Sequence, residues 1–198
     1  MNSANTVVAM PLSRVDLERE GRRIMEDFAP ERLRQPGKTD VERLIDTYLL
    51  KKFGWSLDVQ SALPPNILAF SDFERKLIVM GADSHERLLQ DSPRDRFTGA
   101  HEFSHVHLHQ DIMTGLMVNF SKSDNHLFRK QRSEIPAYKD PEWQANYLAG
   151  CILMPGVHIK NLILTTPNEY ELINAVVEIF KVSVQAAEIR IKNVRSLM

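Results

Sequence analysis

Two histidines four residues apart, with a glutamate directly after the first, constrain this chain more than any other feature: His101-Glu102-Phe103-Ser104-His105. Only a helix places residues i and i+4 on one face, one turn apart. The sequence supplies a start for that helix at Ser92-Pro93. A serine caps well, and proline suits the first helical position, where its missing N–H costs nothing. The helix is predicted to run to about His109, with Phe97, Ala100, Val106 and Leu108 turned to the core. Two imidazoles so placed can bind one metal ion, and the neighbouring glutamate then points near the open coordination position as a general base. At this chain's own His and Glu frequencies, about 0.02 such matches arise by chance, so the pattern carries weight.

Composition narrows what kind of metal site this is. The 198 residues hold one cysteine, Cys151, so neither a disulfide framework nor a thiolate zinc cluster can form. Histidine and carboxylate ligands remain, the set of a catalytic zinc with three protein ligands and one open position. A net charge of −1 argues against a nucleic-acid coat protein. No run approaches the roughly 18 apolar residues of a membrane span, and residues 1–10 lack the basic start of a signal peptide, so a cytoplasmic protein without membrane partners is expected.

The third ligand must come from elsewhere. Asp111, Asp124, His126, Glu134, Asp140 and Glu142 all follow the motif. Glu142 is preferred because Asp140-Pro141 starts a second predicted helix, to about Leu153, and holds it rigidly in the first turn. Asn146, one turn later on the same face, is placed to hold a ligand histidine through its other ring nitrogen. An acid in a first helical turn is also favoured by the helix dipole alone. The two readings of Glu142 therefore stand side by side.

The segment from Arg96 through His101-Glu102-Phe103-Ser104-His105 to His109 resembles the zinc helix of the ImmA/IrrE family of metallopeptidases. The segment from Glu142-Trp143-Gln144-Ala145-Asn146 to Leu153-Met154-Pro155 resembles that family's second signature. With the C-terminal stretch, the resemblance covers roughly residues 65–195. It implies an α+β, zincin-like fold with one Zn²⁺ per chain held by His101, His105 and Glu142, and Glu102 as catalytic base. It further implies a zinc-dependent endopeptidase acting on a specific protein, such as a helix-turn-helix transcriptional repressor. Leu148-Ala149-Gly150-Cys151 departs from the family's usual Phe-Ala-Ala-Glu, which makes Cys151 a small buried residue. The alternative is a non-catalytic regulator that uses the zinc fold to bind a partner or DNA.

The remaining elements are read from pattern. Residues 1–11 are expected as a mobile tail and 13–28 as a helix. Thr39-Asp40 caps a second helix whose apolar positions Val41, Leu44, Ile45, Tyr48 and Leu49 share one face, up to Gly54. Residues 55–59, 67–70 and 76–80 predict a small antiparallel or mixed sheet. The 76–80 strand is placed either at the edge above the metal, where a peptide can add, or in the core. Residues 115–138 are expected as a loop. Two further helices close the chain, near 168–180 and 184–195, the second capped by Ser183.

A division follows of 1–38 (tail and helix), 39–160 (metallopeptidase unit) and 161–198 (helical pair packed upon it). That pair looks like a helix-turn-helix in which Arg190, Lys192 and Arg195 would meet phosphates, but its apolar residues favour packing over DNA binding. His109 is either a group supporting the metal ligands or a helix-end histidine that complements the dipole. His107 resists assignment, and His85 and His158 are read as surface or structural. For an oxyanion stabiliser His126, Tyr138 and Tyr147 are the candidates.

Overall fold

The computed structural model describes residues 8–119 and 135–198. The chain begins with α1 (Arg14–Phe28), started by a reciprocal capping box in which Ser13 and Asp16 each accept the other's backbone N–H. Such a cap stabilises a helix by about 1 kcal/mol. The short α2 (Glu31–Arg34) follows. Next comes a continuous helical rod of α3 (Val41–Arg43), a π-helical turn (Leu44–Leu49) and α4 (Leu50–Phe53). The predicted apolar face of that rod is buried, and Gly54 ends it in the left-handed region at φ 74°.

The three-stranded sheet is mixed. β1 (Ser56–Gln60) runs parallel to β3 (Leu77–Gly81), and β2 (Ala69–Asp72) runs antiparallel to it, in the order β1-β3-β2. The Asp72 carboxylate accepts the N–H groups of Glu74 and Arg75 and closes the tight turn between β2 and β3. Of the two placements open for the 76–80 strand, the structure takes the core one. β3 is central, with Ile78, Val79 and Met80 fully buried, and β2 is the edge that faces the helix carrying Glu102.

Besides the short α2, two helices went unrecognised in the sequence, α5 (Ala82–Leu89) and α8 (Gly156–Thr165). Buried Asp95 ties α5 to the next helix by accepting hydrogen bonds from Ser84, Arg87 and Ser92. That next helix, α6 (Pro93–Asn119), is longer than its pattern implied. At 1.5 Å per residue it is about 40 Å long. Residues 115–119, expected in a loop, belong to it, and the 3₁₀ turn Ala137–Lys139 leads into α7. Residues 120–134 of that expected loop, with Asp124, His126 and Glu134, lie outside the described residues, as do residues 1–7 of the expected tail. The tail reading fails for the residues that follow. Ala9 is buried, its N–H donates to Lys139 O at 2.9 Å, and Leu12 N–H donates to Tyr138 O at 2.9 Å.

α7 (Pro141–Leu153) is the central helix, buried along most of its length between α1 and α6. Gly21 permits the close approach of α1, since a Cβ there would lie 2.5 Å from Cys151 Cβ. α9 (Glu169–Phe180) and α10 (Val184–Arg195) pack with α8 and with each other, and α10 rests on α7. No single helix among the described residues is long and apolar enough to cross a membrane. α7 and α8 pass only as a pair, bent by 67° at Met154-Pro155.

The DNA-binding rival for the helical pair loses its main cation here. Arg190 is buried, donating to Met154 O at 2.9 Å and through both terminal nitrogens to Glu18 of α1. Tyr147 O–H adds a third hydrogen bond to Glu18 at 3.1 Å. Arg195 is engaged with Glu169. Glu18→Ala should therefore destabilise the protein by about 3–5 kcal/mol in denaturant titrations, because it strands a buried cation. The double variant Glu18→Leu/Arg190→Met should recover most of the loss. Burial alone would raise the Glu18 carboxyl, but hydrogen bonding and charge from Arg190 hold it below the ordinary value of 4.5. Its contribution is thus present above that value and lost as pH falls through the lower folded one.

Candidate metal centre

α6 carries His101, His105 and His109 toward α7 and Glu102 toward β2, while Ala100, Phe103 and Val106 face the core. α7 answers with Glu142 in its first turn. Asp140 is the cap, accepting Glu142 N–H at 3.0 Å, and Pro141 follows it. The helix N-terminus also favours a carboxylate at that point.

Three candidate ligand side chains converge. His101 Nε2 and His105 Nε2 are 3.0 Å apart, and they lie 3.6 and 3.3 Å from the two Glu142 oxygens. A tetrahedral zinc ion with bonds of about 2.0–2.2 Å holds its ligand atoms about 3.3–3.6 Å apart. The two histidine–carboxylate separations match that spacing and the two imidazoles stand a few tenths of an ångström closer, so His101, His105 and Glu142 can hold a metal ion. Asn146 Oδ1 lies 3.0 Å from His101 Nδ1, so a ring proton on Nδ1 would have an acceptor there and would leave the Nε2 lone pair facing the other two groups. Burial, reinforced by the charge of His105, lowers the pKa of His101 and favours the neutral imidazole that a metal requires.

Glu102 is held from the sheet. Ser71, on the edge strand β2, donates its Oγ–H to Glu102 Oε2 at 2.6 Å. The sequence offered no signal for Ser71, since strand order alone brings it to α6.

His109 does not sit at a helix end, because α6 continues ten residues beyond it. The dipole reading is therefore corrected. His109 Nδ1 lies 3.3 Å from His105 Nδ1, and His109 Nε2 lies 2.9 Å from Gln144 Oε1. Burial pushes the His109 pKa down to about 4. Gln144, also overlooked in the sequence, is fully buried.

The remaining candidates fall outside this centre. His107 points to the opposite side of α6, bonded to Glu20 at 2.6 Å and stacked on Phe103. Tyr147 is engaged with Glu18, which removes it as an oxyanion stabiliser. His158 is a buried structural group on Arg32 O, and His85 pairs with Glu42. Burial pushes the Cys151 thiol up to about 12, so it is inert at neutral pH.

Residues 88–192 match the model of peptidase M78, the IrrE N-terminal-like domain, over more than half of the chain and across both metal-facing helices. The chain belongs to the peptidase M78 family. No curated protein matches this M78 chain. Among solved structures, it is similar to a Mycobacterium tuberculosis transcriptional regulator, with a TM-score of 0.55 and 14% identity over 87% of this chain. That likeness shows a shared α+β fold, and the match spans 45% of the regulator's own length.

Proposed function

We propose that this M78 protein is a cytoplasmic, zinc-dependent endopeptidase that cleaves a specific protein, a helix-turn-helix transcriptional repressor being the favoured substrate. One observation carries the reading. The side chains of His101, His105 and Glu142 converge with contacts of 3.0–3.6 Å, and Glu102, on the helix of the two histidines, is held by Ser71. His101, His105 and Glu142 are the ligands of one Zn²⁺, Glu102 is the general base, and Asn146 orients His101. When bound, the ion supplies Lewis acidity that brings a coordinated water's pKa near 7 and polarises the scissile carbonyl. Glu102 takes the proton from the attacking water and delivers it to the leaving amine. Ser71 fixes the Glu102 carboxylate for both transfers. The open edge of β2, beside Ser71, suits an extended substrate segment adding as a further strand.

The family assignment supports the peptidase reading, and the name of the structurally similar protein supports a substrate in transcriptional control. That name also favours a second reading, a regulator that holds metal and cuts nothing. The test is co-expression with repressors encoded nearby, followed by mass spectrometry. The peptidase reading expects one defined cleavage that a chelator abolishes. A metal-loaded protein that binds a repressor and leaves it intact establishes the regulator.

A further inference from the structure

A cleft lies away from the metal centre, where α8 runs beside α2. Val157, Lys160, Asn161 and Leu164 recur at i, i+3, i+4 and i+7, so they share one face of α8. The other side of the helix is given to the core, with Ile159 buried and Leu162 and Ile163 packed against it. Leu33 and Arg34 at the end of α2 form the opposite wall of the cleft, which holds about 400 Å³. Its floor is fixed, because buried His158 lies 2.7 Å from Arg32 O and ties α8 to α2. Val157 and Leu164 are 55% and 66% exposed. They stand about 10 Å apart along the helix axis, at 1.5 Å per residue. Lys160 lies between them, Arg34 stands across the cleft, and both are exposed. Among the described residues neither cation has an ion-pair partner, and no acidic side chain lines the cleft.

We propose that the cleft between α2 and α8 docks a helical segment of a partner protein, apolar along one stripe and acidic beside it. Two exposed apolar side chains seven residues apart match a second helix laid alongside, with its own apolar anchors at i, i+3 or i+4, and i+7. The two unpaired cations, one on each wall, attract carboxylates on that helix and reject basic segments. Asn161 adds an amide that can hydrogen-bond polar groups between the anchors. The concave shape and the small number of cations favour a protein segment over a lipid surface, which binds clusters of four to eight basic residues. The dock is separate from the metal centre. α8 starts beyond the C-terminal end of α7, and Glu142 lies in the first turn of α7, about 15 Å away along its axis. Docking therefore does not depend on a bound metal.

The probe is a phage library of random peptides of about 16 residues, long enough for four helical turns. It is selected on the full-length protein and counter-selected on Leu164→Glu. Recovered peptides should combine Asp and Glu with apolar residues at helical spacing. Synthetic copies should bind wild type and weaken about tenfold or more with Val157→Glu or Lys160→Glu. Their affinity should fall as salt rises from about 50 to 300 mM, and a chelator should leave it unchanged. The substituted side chains are exposed, so all three variants should melt as wild type does. Should Leu164→Glu melt early, Lys160→Glu replaces it in the counter-selection. An empty selection overturns the proposal, as do peptides without acids or peptides that bind Leu164→Glu as tightly as wild type. A dimer in sedimentation that Leu164→Glu dissolves assigns the cleft to a second copy and also overturns it. So does binding to vesicles of equal parts phosphatidylglycerol and phosphatidylcholine that the same variant loses.

Discussion

Glu102→Gln should keep its metal and lose cleavage by about 10²–10⁴-fold, the range expected for removal of a general acid–base group. At 1.36 kcal/mol per tenfold, that is about 2.7–5.4 kcal/mol of transition-state stabilisation. The substitution is nearly isosteric. The amide oxygen can still accept the Ser71 hydroxyl proton that Glu102 Oε2 accepts at 2.6 Å. His101, His105 and Glu142 are untouched, so metal content and melting temperature should match wild type. What disappears is the ability to take a proton from water. Equal rates of substrate loss in wild type and variant would end the assignment of Glu102. A regulator without peptidase activity predicts a variant indistinguishable from wild type in every assay.

Glu142→Ala should purify with little or no zinc where the wild type carries about one ion per chain, the number expected for a single catalytic site. Two neutral imidazoles would remain, without the anionic ligand that offsets part of the ion's charge. The loss should exceed the roughly 10–100-fold that removal of a supporting group costs. The variant should still fold, because the cap of α7 is Asp140 and the side chain of Glu142 is 38% exposed. Inductively coupled plasma analysis against Glu102→Gln gives the comparison. Full occupancy in Glu142→Ala would remove Glu142 from the ligand set.

The chemistry of the centre was more legible than the fold around it. His101 and His105 are local, since a four-residue spacing and a capped start place them wherever the helix packs. Glu142 was legible for the same reason, with Asp140-Pro141 fixing the first turn. Ser71 was not, because its approach to Glu102 depends on β2 lying at the sheet edge, and strand order is a non-local property. The same gap left the strand at 76–80 unplaced, since its apolar run reads equally as edge or centre. α6 overran its expected end because no glycine or proline stops it at His109, and polarity there was read as a loop. α8 directly follows Met154-Pro155, a pair that signals a stop but equally begins a new helix in another direction. Gln144 lies two residues from Glu142 and was passed over because a glutamine in a helix carries no distinctive pattern.

The bond between Glu18 and Arg190 has a consequence for how the molecule can be divided. The segment matched by the family, 88–192, contains both metal-facing helices and Arg190, but not the carboxylate that neutralises it. A fragment cut to those limits would inherit a guanidinium sealed behind α7 with nothing to balance it, and would also lack Ser71. The part that carries the ligands is therefore not a part that can be lifted out. Autonomy belongs to the longer unit, in which helices from opposite ends of the sequence close over the back of the metal-facing pair.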